Sequence, residues 1–171
     1  IIINDDLLID MGPDVMSASF MYNKSMADIR YCLQTHPHSD HFDASHLTTR
    51  IPEYMGIDTP PLQLYGSAET LQKMSEMVRN EGYVSDLFDP EAKKRLNIEV
   101  IPVTTFQPFN VGQYEVVAFP TNHDVSVKSL LYAIKEDDFT LFYGTDTDTL
   151  TDETWDGFHK LKMRFNVVIL D

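Results

Sequence analysis

Three histidines and a carboxylate fall within Thr35-His36-Pro37-His38-Ser39-Asp40-His41, directly after the apolar run Ile29-Arg30-Tyr31-Cys32-Leu33-Gln34. A core strand draws on aliphatic side chains, and a solvated loop gains nothing from three imidazoles so closely spaced. Neutral imidazole nitrogen and carboxylate oxygen are the ligands that zinc and its neighbours take. The stretch therefore reads as a metal site. His36 and His38 alternate and can point two nitrogens at one ion, while Asp40 and His41 can swing to a second.

Other ligands must then come from strand ends able to converge on such a cluster. Two residues fit. His123 follows the strand-like segment 113–119 through Pro120-Thr121-Asn122, and Asp146 follows the segment 140–143 through Gly144-Thr145. Asp148 competes with Asp146, which lies closer to its strand and is preferred. Asp10 closes the short apolar run Leu7-Leu8-Ile9 ahead of Gly12-Pro13, where it either supports a ligand histidine or caps the turn. His46, five residues past His41, and His159, inside a helical segment, read as histidines outside the ligand set.

The elements that must carry these residues are of both kinds. Residues 7–10, 29–34 and 62–65 read as short buried strands. Residues 14–28 suggest a helix or loop, and Asp43 an N-cap for a short helix ending before Pro52. Ser67 caps an amphipathic helix with Leu71, Met74, Met77 and Val78 on one face. Asp89-Pro90 opens another, with proline at the first helical position. From Ile98 the period becomes that of strands: 98–103, 113–119 after a turn at Asn110-Val111-Gly112, 129–134 and 140–143. A helix is expected over 151–163 and a last buried strand over 165–170. The class is α/β.

The 171 residues make one domain's worth of chain, 43% hydrophobic and 23% charged, an ordinary globular balance. No apolar run approaches the 18 or so residues of a membrane span, and no signal peptide is evident. Cys32 is the only cysteine, so no disulfide framework exists; it reads as a small core residue, and a reducing cytoplasm is the expected setting. The net charge of −14 disfavours a nucleic-acid partner, since phosphate contacts need clustered Lys and Arg. Lys93-Lys94-Arg95, the only basic cluster, reads as a solvated helix face. Bound divalent cations would offset the acidity locally and leave room for a small anionic substrate. The oligomeric state stays open, a homo-oligomer included. Both ends read as cut: the chain opens on Ile1-Ile2-Ile3 and closes inside a strand at Asp171.

The segment from Thr35 to His41 resembles the His-x-His-x-Asp-His signature of the metallo-β-lactamase-fold hydrolases. Leu8-Ile9-Asp10-Met11-Gly12 is similar to that family's apolar-Asp-x-Gly strand end, and His123 and Gly144-Thr145-Asp146-Thr147 continue the resemblance in order. It implies a four-layer αββα sandwich, here a single metallo-hydrolase domain over residues 1–171 with incomplete ends. It also implies two divalent ions, zinc by default, with manganese or iron as alternatives. His36, His38 and His123 would hold the first, Asp40 and His41 the second, and Asp146 both. A further family histidine would fall beyond Asp171.

The chemistry implied is hydrolysis by a water made nucleophilic near neutral pH, with charge on the attacked oxygen stabilised. Asp40 would orient that water or accept its proton. No Ser-His-Asp or Cys-His arrangement and no glycine-rich phosphate loop competes. The long interval between His41 and His123 resembles the phosphodiesterase branch, so a small phosphodiester is the expected substrate. The alternatives are a tRNA 3′-processing endonuclease, a lactone, thioester or β-lactam hydrolase, and a non-catalytic metal-binding scaffold.

Overall fold

Short apolar runs separated by helical segments favour parallel strands joined by crossovers. The computed structural model, which describes residues 1–171, bears this out for the first part of the chain. The chain divides into two compact units, Ile1–Pro102 and Val103–Asp171.

The first unit holds a five-stranded sheet in sequential order: β1 (Ile2–Ile3), β2 (Leu7–Ile9), β3 (Tyr31–Leu33), β4 (Leu62–Gly66) and β5 (Ile98–Pro102). β1 is antiparallel to β2, and β2 to β5 are parallel. The crossovers carry α1 (Val15–Met21), a 3-10 turn over Met26–Asp28, α2 (Ser45–Thr48), α3 (Ala68–Asn80) and α4 (Pro90–Leu96). One core joins Leu8, Cys32, Leu62 and Leu64 of the sheet to Leu47, Leu71, Met74, Val78 and Leu96 of the helices. Helix ends follow local chemistry. The Ser67 hydroxyl accepts from the Thr70 N–H at 3.0 Å and the Asp89 carboxylate from the Ala92 N–H at 3.0 Å. Asn97, left-handed at φ 51°, stops α4. The buried Arg50 guanidinium donates to the carbonyls of Leu96, Asn97 and Pro60, which ties the segment after α2 to the start of β5.

The second unit is a meander of β6 (Pro108–Val111), β7 (Tyr114–Pro120), β8 (Leu130–Glu136) and β9 (Phe139–Gly144). Helix α5 (Asp152–Lys160) crosses over to β10 (Val167–Leu170), parallel to β9, giving the order β10-β9-β8-β7-β6. Its core is aromatic: Phe119 and Phe158 have ring centroids 4.8 Å apart, and Phe142 and Phe165 5.1 Å. Thr151, not a hydrophobic residue, sets the start of α5, its hydroxyl accepting from the Thr154 N–H.

Three expectations are corrected. The last strand is not buried: Val167, Val168 and Leu170 are 41%, 51% and 55% exposed, because β10 is the sheet's edge. Asn110 and Val111, read as part of a turn, belong to strand β6, paired to β7 with Val111 opposite Tyr114. Asp43 does not cap α2 directly. Ala44 occupies the cap position, and Asp43 accepts from the Ser45 N–H at 2.9 Å one residue earlier. No helix is long and apolar enough to cross a membrane.

Candidate metal centre

Strands β2 and β3 run side by side with Ile9 opposite Leu33, so Asp10 and Gln34 leave the sheet together at its carboxyl edge. That edge is where open parallel sheets place ligands. The Asp10 N–H extends the ladder to the Leu33 carbonyl at 3.0 Å, and φ of 58° then turns the residue into the left-handed region. The buried carboxylate is thereby aimed across the motif. It accepts from the Thr35 N–H at 2.7 Å and the Thr35 hydroxyl at 2.8 Å, and meets Nδ1 of His41 at 2.8 Å.

These bonds determine how the imidazoles are presented. A carboxylate opposite Nδ1 of His41 fixes the proton there and leaves the Nε2 lone pair for coordination. The Thr35 hydroxyl, having donated to Asp10, accepts from Nδ1 of His36 at 2.9 Å, which puts the His36 lone pair on Nε2 as well. One carboxylate therefore orients two histidines, one of them through a threonine. Of the two readings open for Asp10, support of a histidine of the motif is the one realised.

The rings stand close together. His36 meets His38 edge-on with centroids 4.6 Å apart, and His41 at a tilt with centroids 4.1 Å apart. Within each pair, ring nitrogens lie within 4.8 Å of one another. An Asp40 carboxylate oxygen is 3.6 Å from Nε2 of His41. A tetrahedral ion with bonds of about 2.1 Å holds its ligand atoms about 3.4 Å apart, so this pair suits one edge of such a polyhedron. His36 is buried, His38 and His41 partly so, and Asp40 faces solvent. The donor set fits a divalent ion approached from the exposed side.

Residues outside the motif hold its backbone. The Gln34 side-chain amide, fully buried, donates to the carbonyls of His36 at 2.8 Å and His41 at 2.9 Å. Inside the loop, the N–H groups of His41 and Phe42 both donate to the His38 carbonyl. Gly12 lies so close beneath the Asp40 carbonyl that a Cβ would overlap its oxygen. His46, on α2, is not simply a surface residue: its Nε2 meets the Gly12 carbonyl at 2.9 Å. Sequence reasoning missed Gln34 and the part that Thr35 plays, and it placed Gly12 only in the strand-end motif Leu8-Ile9-Asp10-Met11-Gly12. The only local signal was a polar pair, Gln34-Thr35, closing an apolar run.

Cys32 takes no part. Burial pushes its thiol well up, and the charge of Asp10 adds to the effect, so it stays protonated.

In the second unit, β7 and β9 both run antiparallel to β8 and β10 is parallel to β9, so their carboxyl ends share one edge. His123 and Asp146 follow β7 and β9 there, His123 exposed and Asp146 half-buried. Thr121 links their loops: its hydroxyl donates to the Asp146 carbonyl and accepts from the His123 N–H, each at 3.3 Å. Asn122 adds bonds to the Thr149 carbonyl, the Thr147 hydroxyl and the Asp148 N–H. The Asp148 carboxylate accepts from the Thr149 N–H at 2.8 Å. Asp146 is left-handed at φ 52°, and its N–H donates to the Asp171 carboxylate at 2.9 Å. His159 lies exposed on α5.

A family model described as the β-lactamase superfamily domain matches residues 6–171. The chain belongs to this family. Solved structures similar to this β-lactamase superfamily domain include Zn(2+)-bound PqqB from Methylobacterium extorquens, 15% identical with a TM-score of 0.66 over 100% of this chain and 58% of that one. The metallo-beta-lactamase fold protein YhfI from Bacillus subtilis is 17% identical, with a TM-score of 0.63 over 98% and 60%. Unliganded yeast PDE1 is 14% identical, with a TM-score of 0.60 over 84% and 44%. At these identities the likeness is one of fold, and the domain spans about six-tenths of the length of the first two. No curated protein matches its sequence significantly. Divalent metal binding, zinc in the PqqB structure, is usual for the family, and the histidine cluster described above provides for it.

Proposed function

We propose that this β-lactamase superfamily domain belongs to a metal-dependent hydrolase acting on a small phosphodiester. The observation carrying the hydrolase reading is the set of imidazoles His36, His38 and His41, two of them oriented through Asp10 at the carboxyl edge of a parallel sheet. By the resemblance to the metallo-β-lactamase-fold motif, His36, His38 and His123 would hold one ion, Asp40 and His41 a second, and Asp146 both. Bound there, divalent ions would supply a water acidic enough to attack at neutral pH and would stabilise charge on the attacked oxygen. The chain's own contribution is orientation. Asp10 holds His41 and, through Thr35, His36. Asp40, its side chain 75% exposed beside His41, would orient the attacking water or take its proton.

Two features favour a phosphodiester. One is the long interval between His41 and His123; the other is the fold likeness to yeast PDE1, which its name marks as a phosphodiesterase. The −14 charge favours a small substrate over a nucleic acid, and the single buried thiol suits a reducing compartment such as the cytoplasm.

The test has two parts. Elemental analysis should find divalent metal in the wild-type protein and less of it in His38→Ala and Asp146→Ala; unchanged metal in both variants refutes the ligand set. Bis(p-nitrophenyl) phosphate, a lactone, a thioester and a β-lactam are then compared with added zinc or manganese. Preference for a carboxylic substrate moves the protein to another branch, and metal binding without turnover makes it a non-catalytic scaffold.

A further inference from the structure

We propose that Gln34 is a positioning residue that sets the spacing between the two halves of the histidine motif; this rests on the metal-binding reading above. β3 ends at Leu33, and residues 34–41 lie in no helix or strand, so no regular ladder fixes the distance from His36 to His41. The Gln34 amide does so instead. A carboxamide nitrogen carries two N–H donors at a fixed planar angle, and here one bonds the His36 carbonyl and the other the His41 carbonyl. By the reading above His36 belongs to one ion and His41 to the other. A single side chain thus brackets one ligand of each.

The bracket is rigid because of where it sits. Gln34 is fully buried, and its own N–H donates to the Tyr65 carbonyl at 2.8 Å, in line with the β3–β4 ladder. The loop's motion relative to the sheet is therefore limited through a residue the sheet holds. Asp10 orients the rings through their Nδ1 atoms, and Gln34 spaces the backbone that carries them. The two act on different degrees of freedom.

Those two hydrogen bonds would also satisfy buried carbonyls in a purely structural role, so the test needs a readout that stability alone does not move. Cobalt(II) is titrated into the wild type, Gln34→Leu, Gln34→Asn and the remote core variant Val78→Ala, following affinity, the visible ligand-field bands and thermal stability. Gln34→Leu keeps the size and removes both donors. Gln34→Asn keeps the amide but is one methylene too short to span both carbonyls, and stands in if the leucine variant fails to fold. The expected result is cobalt binding weakened 10- to 100-fold, the range for residues supporting metal ligands, with shifted bands in the Gln34 variants. Val78→Ala should lower stability and leave affinity and bands as in the wild type. Amide exchange without metal supplies a second readout: the His41 and Phe42 amides, bonded to the His38 carbonyl, should lose protection in the Gln34 variants while β4 amides keep theirs.

Gln34 variants that bind cobalt like the wild type, or an equal loss in Val78→Ala, overturn the inference and leave the metal site standing. A wild-type protein that binds no cobalt overturns both.

Discussion

The Asp10 carboxylate stands 2.8 Å from Nδ1 of His41, 31 residues further along the chain. The same carboxylate takes the Thr35 hydroxyl, which meets His36, so one negative charge sets the orientation of two imidazoles. It is reached only because Asp10 leaves β2 with a left-handed backbone at φ 58°. Asp10→Asn should therefore act mainly on the metal. The amide keeps the size, removes the charge and leaves the tautomers unspecified. Competition with a chelating dye should show zinc affinity lowered 10- to 100-fold, about 1.4–2.7 kcal/mol. Wild-type affinity in a folded Asp10→Asn protein would refute the relay.

Gly12 and Gly56 offer a matched pair. A Cβ at Gly12 would enter the Asp40 carbonyl, whereas one at Gly56 meets nothing within 4 Å. Gly12→Ala should destabilise by about 1–3 kcal/mol, as overpacking does, and disturb the motif loop. Gly56→Ala should be neutral or stabilising by up to about 1 kcal/mol through the unfolded chain. Denaturant midpoints of both variants decide it.

Gly157 tests packing against propensity. Alanine in the middle of α5 should gain about 1 kcal/mol of helix propensity. Its Cβ would however lie 2.5 Å from the Phe106 ring and 3.2 Å from that of Phe119. The expected outcome is a lower melting temperature, since rings in the aromatic core must shift. A higher one would show that Phe106 yields freely.

Acid sensitivity should be traceable in part to Asp86. The Phe88 N–H and the Ser75 hydroxyl, both donating to it, hold its carboxyl below the ordinary carboxylate range. The unfolded chain therefore binds this proton more readily than the folded one. The resulting stability is present above the ordinary value, near pH 4, and is lost as pH falls through the lower folded value. Asp86→Asn should flatten stability against pH on that acid side and leave the shape above pH 5 unchanged. An identical acid limb in the variant would rule the contribution out.

Local chemistry made much of this molecule readable before its structure. Ser67 and the Leu71, Met74, Val78 stripe identify α3, and Asp89-Pro90 identifies α4, because caps and periodicity act within a few residues. The histidine motif declares itself through composition alone. Hidden features depend on distance. The bonds of Asp10 to Thr35 and His41 span 25 and 31 residues, and Gln34 at the end of an apolar run looks like a strand residue. β6 is four residues headed by proline, too short to show a period, and exists by pairing with β7. The exposure of β10 is equally invisible in Val167-Val168-Ile169-Leu170, which reads as core wherever it lies.

That outer strand has a practical consequence for handling this polypeptide. An edge strand with exposed valine and leucine side chains is a template for adhesion between copies. A lysine in place of the exposed Val168 should lower self-association of this domain, read by light scattering, while leaving the metal chemistry as it was.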